Sequence, residues 1–257
     1  MTRASVTDAT AQLPTGEIFY RDSGGDGASV VFLHAASGNS ALWEHQIPAV
    51  VGAGFRFIAL DHRATARGSN STALLDGLLA KLNVRRCHLL GTAGGGGAAL
   101  QFALAHPAKV TGLVVANSIG FVLDREYIDI SNRIRPAPKF NELPLDFREL
   151  GPSYRAAHAE GAARWLDLSQ HGQRSKGART ENGGNVEVTW AKLETLKMPT
   201  LLVTGDADLY TPPSVLRMFA QRMSHAEVAI VPETGHSSYW ENPAVFSAAL
   251  LAFLRKH

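Results

Sequence analysis

Residues 89–100 read LLGTAGGGGAAL. An apolar stretch runs into glycines and then into an alanine-rich, helix-like segment that continues to Pro107. Strand, sharp turn and helix in that order fit the G-x-S-x-G elbow, whose small flanking residues let a strained apex present its side chain. Gly91 and Gly95 are the small neighbours, and Gly96 and Gly97 permit close helix–strand packing. The apex is Ala93, whose methyl group has no lone pair to attack with. Two other glycine motifs fit less well. A dinucleotide fingerprint wants an early strand and an acid about 20 residues further on, whereas the next acid, Asp124, lies beyond another strand. A phosphate loop needs G-K-[ST], and no lysine follows until Lys109.

Outward from the elbow, short apolar runs rich in β-branched residues alternate with helical patterns. Strands are expected at 17–20, 29–35, 55–61, 86–91, 110–118, 200–206 and 226–234, and helices at 40–52, 72–83, 95–106, 213–223 and 243–255. Val245, Phe246, Ala249, Leu250 and Phe253 make an apolar stripe at helical spacing. Such alternation predicts an α/β fold with a mostly parallel central sheet covered by helices on both faces. Its ligand sites fall at the carboxyl ends of the strands. Residues 119–190 break the pattern with aromatic, Pro and Arg residues and then a polar, glycine-containing tract. They read as two or three helices and an exposed connector, a lid inserted into a single domain of residues 1–257.

The 257 residues carry a net charge of +2, with 45% hydrophobic and 19% charged residues. That balance supports a sizeable core and gives no electrostatic case for nucleic acid or an anionic membrane. The single cysteine, Cys87, begins an apolar run and reads as a buried, inert thiol in a reducing compartment. The N-terminal MTRASVTDATAQLPTG lacks the apolar core of a signal peptide, and no apolar stretch approaches the length of a membrane span. The reading is a cytoplasmic protein, monomer or homodimer, whose partner is a small molecule.

Three more strand ends carry polar loops. In LVTGDADLYTPP, Asp206 and Asp208 follow a strand, where an aspartate either caps a turn or orients a histidine. In VPETGHSSYWENP, His236 follows a strand and a Thr-Gly turn; His88, His106 and His257 sit in blander contexts. The early loop FLHAASGNSALW offers backbone N–H groups that could hold an oxyanion, or is simply a strand-to-helix turn capped by Ser37 or Asn39.

From about residue 16 onward the chain resembles the α/β-hydrolase fold family, in its branch of small esterases, enol-lactonases and carbon–carbon bond hydrolases. LHAASG resembles the H-G-x-x-G oxyanion loop, with Ala35 in place of glycine. GTAGGG resembles G-x-S-x-G-G, GDAD the G-x-x-D acid loop, and GHSSYWENP the G-H-x-x-x-x-E-x-P histidine loop. DHRATARGSNSTALL resembles the D-x-R-G-x-G-x-S turn but lacks its usual glycine. The resemblance implies Asp208 as acid (Asp206 second), His236 as base, and the N–H groups of Ala36 and Gly94 as oxyanion donors, with neither metal nor cofactor.

Ala93 then admits three accounts: a serine replaced or lost, a natural enzyme in which Asp208–His236 acts directly on water or a carbon acid, or a binding protein. Retention of the acid and the histidine weighs against the last. The pocket is expected to be mostly apolar. His34, Ala35, Trp43, Tyr210 and Trp240 are its expected substrate-binding residues, with Tyr239 and the lid aromatics Phe121, Tyr127, Phe140 and Trp165 as further candidates. Arg133, Arg135, Arg148 and Arg155 are candidate partners for a substrate carboxylate.

Overall fold

The computed structural model describes residues 5–62, 71–118, 120, 122–170, 186–223 and 225–257. Phe121, most of the expected connector and the ARG-containing turn beyond His62 lie outside them. The apolar runs fold as strands: β1 (Thr7–Leu13), β2 (Gly16–Asp22), β3 (Ser29–Leu33), β4 (Arg56–Leu60), β5 (Cys87–Thr92), β6 (Val110–Ala116), β7 (Thr200–Gly205) and β8 (Ala226–Val231). They form one sheet in the order β1-β2-β4-β3-β5-β6-β7-β8. The β1–β2 and β2–β4 pairs are antiparallel and all others parallel.

Side chains alternate across a strand, so each buried strand feeds two cores. Val31, Leu33 and Leu89 join one; Val30, Phe32 and Leu90 join the other. Helices α1 (Ile47–Gly52), α2 (Ser71–Lys81) and α3 (Gly94–Ala105) follow β3, β4 and β5. After β6 come α4 (Arg125–Ile134), α5 (Lys139–Glu142), α6 (Leu145–Glu149), α7 (Pro152–Ala157), α8 (Ala159–Gln170) and α9 (Trp190–Leu193). The chain then adds α10 (Pro213–Arg222), α11 (Ser238–Glu241) and α12 (Pro243–Lys256). Leu78 of α2, Phe102 of α3 and Phe219 of α10 cover the first face; Val50 of α1 and Phe246 and Phe253 of α12 cover the second. Among the described residues no helix is long and apolar enough to cross a membrane.

Three local expectations need correction. TDATAQL is a strand, β1, although its composition is polar; most of it is exposed at the sheet edge, so no apolar alternation marks it. Residues 40–52 are a 3-10 turn at Ser40–Trp43 followed by α1, whose first turn holds Pro48. The segment after β6 holds five short helices between residues 125 and 170 rather than two or three. Pro136, Pro138, Pro144 and Pro152 explain three of the four breaks, since proline removes a backbone donor and clashes with the preceding turn; the break between α7 and α8, at His158, has no proline. Cys87 is buried, and burial pushes its thiol up to about 12, so the thiolate is disfavoured.

Candidate active site

Ala93 caps α3 with φ 48° and ψ −117°, a left-handed conformation that non-glycine residues seldom adopt. Such strain costs on the order of 1–3 kcal/mol and persists only where the surroundings over-determine it. Here they do. The Ala93 N–H donates to Ala116 O (3.1 Å), and its carbonyl accepts from Gly96 N (3.0 Å) and Ser118 Oγ (2.6 Å). A β-carbon on Gly95 would collide with the carbonyl oxygens of Leu33 and His34, and one on Gly91 with Gly95 O. The elbow is thus fully built around an apex that carries only a methyl group.

Asp208 and His236 stand at the ends of β7 and β8. His236 Nδ1 lies 2.8 Å from Asp208 Oδ1 and 2.9 Å from Oδ2, both residues buried. Asp208 also accepts from Tyr210 N (2.7 Å), Thr211 N (2.9 Å) and Asn117 Nδ2 (3.1 Å). Burial pushes its carboxyl up, but the His236 charge and these donors win and hold it down to about 2. Burial pulls the His236 imidazole down, and the charges of Asp208 and Glu149 reverse this, leaving it above its ordinary value with Arg135 opposing. Asp206, the second choice, instead accepts from Thr234 N (3.3 Å) and braces the histidine loop.

His236 lines a cavity of about 350 Å³ together with Ala35, Ala36, Ala93 and Gly94, a volume within the range of small-molecule sites; Asp208 stands behind it, outside the lining. Gly94 opens α3, so its N–H has no acceptor within the helix. Tyr210 lines the cavity, its ring 4.3 Å from the His236 ring. Tyr127 of α4 and Arg135, which caps its C-terminus, line it too. Arg148 donates from Nη1 to the Tyr210 hydroxyl (3.2 Å), while Arg133 is exposed and Arg155 covers Phe147.

Three expected pocket residues are elsewhere. His34 is buried in the loop after β3, its Nδ1 2.5 Å from Ala35 O and its Nε2 accepting from His62 N (3.1 Å). It holds the loop's shape and does not line the cavity. Trp43 packs between Phe32 and Tyr239 in the second core, and Trp240 donates from Nε1 to Gly161 O (3.2 Å). Tyr239 and Trp165 share that core, and Phe140 stacks edge-on against Tyr210 without lining the cavity. Large aromatics near a strand end are worth more as buried area than as a pocket wall.

Three polar residues escaped the sequence reading. Asn117, left-handed at φ 47°, donates to Asp208 and to Gly235 O (3.1 Å) and accepts from Ser238 Oγ (2.6 Å), tying acid and histidine loops together. The polar Asn-Ser pair closing the apolar VTGLVVA strand was the available signal. Glu241, the glutamate of the histidine-loop motif, accepts from Gly235 N (2.9 Å), Ser237 N (3.2 Å) and Gly151 N (2.6 Å). Burial lifts its carboxyl to about 7 against the pull of those donors. Glu149, at the end of α6, is buried and lines the cavity. Among the described residues no cluster of His, Cys, Asp or Glu could hold a metal ion.

An imidazole acts as a base only when neutral. Because His236 is raised, its neutral form gains population above the ordinary 6.5, and a base role puts the acidic limb of kcat/KM on the alkaline side of that value. Asp208→Asn removes the leading favourable charge and is expected to move the limb to lower pH, as read from kcat/KM between pH 5 and 9.

A family model described as the alpha/beta hydrolase family matches residues 30–249. RutD of Variovorax paradoxus strain S110, a candidate carbamate hydrolase by its name, is 29% identical over 253 residues, covering 90% of this chain and 93% of its own. The 2-hydroxy-6-oxononadienedioate/2-hydroxy-6-oxononatrienedioate hydrolase of Paraburkholderia xenovorans strain LB400 is 26% identical, covering 93% of this chain and 90% of its own. In fold, the malate-bound esterase from Thermogutta terrifontis matches with a TM-score of 0.78 at 21% identity, over 97% of this chain and 98% of that one. The enol-lactonase from Burkholderia xenovorans LB400 matches with 0.76 at 20%, over 96% and 100%.

Proposed function

Since this chain belongs to the alpha/beta hydrolase family, as a hydrolase-type α/β enzyme, we propose that it hydrolyses a small ester, lactone or carbon–carbon bond substrate with water as the nucleophile. His236 takes the proton from water, and Asp208 fixes the imidazole with Nδ1 inward and stabilises the imidazolium that forms. The N–H groups of Ala36 and Gly94 receive the oxyanion as the carbonyl becomes tetrahedral. Residues 119–190 serve as the lid, and neither metal nor cofactor takes part. One observation carries this reading: His236, held by the buried Asp208, lines the same cavity as the Ala93 apex and the loop of Ala35 and Ala36. The names of the relatives, hydrolases of a carbamate and of 2-hydroxy-6-oxononadienedioate, support hydrolysis of a small molecule.

The strained apex favours a second reading, in which the elbow is still shaped for a serine. Ala93→Ser is therefore expected to raise kcat for p-nitrophenyl acetate by about 10²-fold or more, a small part of what triad deletions cost. The variant is also expected to take one equivalent of a fluorophosphonate probe, both effects vanishing in Ala93→Ser with His236→Ala. A variant inert to ester and probe removes the second reading. The first fails if the Ala93 protein and its His236→Ala variant hydrolyse p-nitrophenyl acetate at one rate. A ligand that raises Tm without turnover in any variant then identifies a binding protein.

A further inference from the structure

Glu149 has no part in the machinery described so far, yet it is a buried carboxyl in the wall of the catalytic cavity. Its carboxyl interacts with Tyr210, whose hydroxyl it engages, with Arg148 from its own helix, and with the charges of His236 and Asp208; Tyr210 and His236 line the same cavity. Arg135 acts on the same Tyr210 and His236. Its placement is built rather than incidental. Two residues on, Gly151 N donates to Glu241, which also holds Gly235 N and Ser237 N on either side of His236. One carboxylate therefore anchors both the turn that follows Glu149 at the end of α6 and the loop carrying His236. A β-carbon on Gly235 would meet the backbone of Glu149, Leu150 and Gly151, so the two segments lie in direct contact.

Resting on the reading that water is the nucleophile, we propose that Glu149 is the catalytic acid that protonates the departing group. A single imidazole holds one proton; after taking it from water, His236 is an acid fixed on the attacking side. Glu149 supplies a second proton-transfer group. As the water oxygen bonds to the carbonyl carbon, His236 Nε2 takes one proton. As the bond from that carbon to the leaving atom breaks, the leaving atom keeps the electron pair and receives the Glu149 proton. The imidazolium then returns its proton to the Glu149 carboxylate through solvent, so one water is consumed and no oxidant or reductant enters. Burial raises the Glu149 carboxyl above its ordinary range, with Asp208 pushing the same way and His236, Tyr210 and Arg148 pulling back. Burial that favours the protonated form of a carboxyl suits it to proton donation.

The test compares the full chain with Glu149→Gln on acetates of p-nitrophenol, m-nitrophenol, p-chlorophenol and phenol. General acid catalysis contributes about 10²–10⁴-fold. The loss in kcat/KM is expected to be smallest for p-nitrophenyl acetate and to grow to about 10²-fold or more for phenyl acetate. Glu149→Asp, which keeps the acid, should retain the dependence on leaving group at a lower rate. A loss equal across the four esters marks a structural role and overturns the proposal, as does no loss. If His236→Ala leaves all rates unchanged, the water-nucleophile reading has failed by itself. The comparison is then run in Ala93→Ser, where the same phenols are expelled: a Glu149→Gln loss that grows with leaving-group pKa sustains the acid role, and a flat one overturns it.

Discussion

Replacing His236 by alanine is expected to lower kcat/KM for any hydrolysed ester by about 10²–10⁴-fold, the usual contribution of a positioned acid–base group. The fold should survive. Asp208 keeps Tyr210 N, Thr211 N and Asn117 Nδ2 as donors after the imidazole is gone. Its charge is therefore not left bare, which is the condition under which breaking a buried pair becomes severe. Steady-state rates with p-nitrophenyl acetate beside thermal unfolding separate the two effects. A variant that unfolds at the same temperature yet retains full activity would remove His236 from the chemistry.

Gly95→Ala is expected to act on the fold instead. The added β-carbon meets two backbone carbonyls, Leu33 O and His34 O, so no side chain can rotate away. Relief requires α3 to shift against the end of β3, which would also separate Gly94 from Ala36. The cost is about 3 kcal/mol, the upper part of the range for overpacking a tight core. For a chain of this size that corresponds to a fall in Tm of roughly 6–12 °C. A calorimetric Tm within about 2 °C of the parent would contradict the close packing described for the elbow.

Much of this was legible in the sequence for a physical reason. Gly91, Ala93, Gly95 and Asp208 come at the ends of buried apolar strands and His236 follows the half-exposed β8, and parallel strands carry their carboxyl ends to one edge of the sheet. Local pattern therefore gave spatial proximity. Glu149 could not be found that way, because α6 reaches the cavity through Glu241 and the Gly151 backbone, contacts about 90 residues apart. Nor could the burial of Trp43 and Trp240, which depends on Phe32, Tyr239 and the cap packing round them. Strand β1 was hidden by its polar composition at an exposed edge, where pairing with β2 rather than burial defines it.

The central claim is that the Asp208–His236 pair activates water directly, with no bond to the protein. Stopped-flow release of p-nitrophenol from p-nitrophenyl acetate tests it in the Ala93 chain itself. A covalent path shows a burst matching the enzyme concentration before the steady rate. Direct attack by water predicts release that is linear from the first turnover and falls in His236→Ala. A stoichiometric burst, or a rate the same with and without His236, would contradict the account.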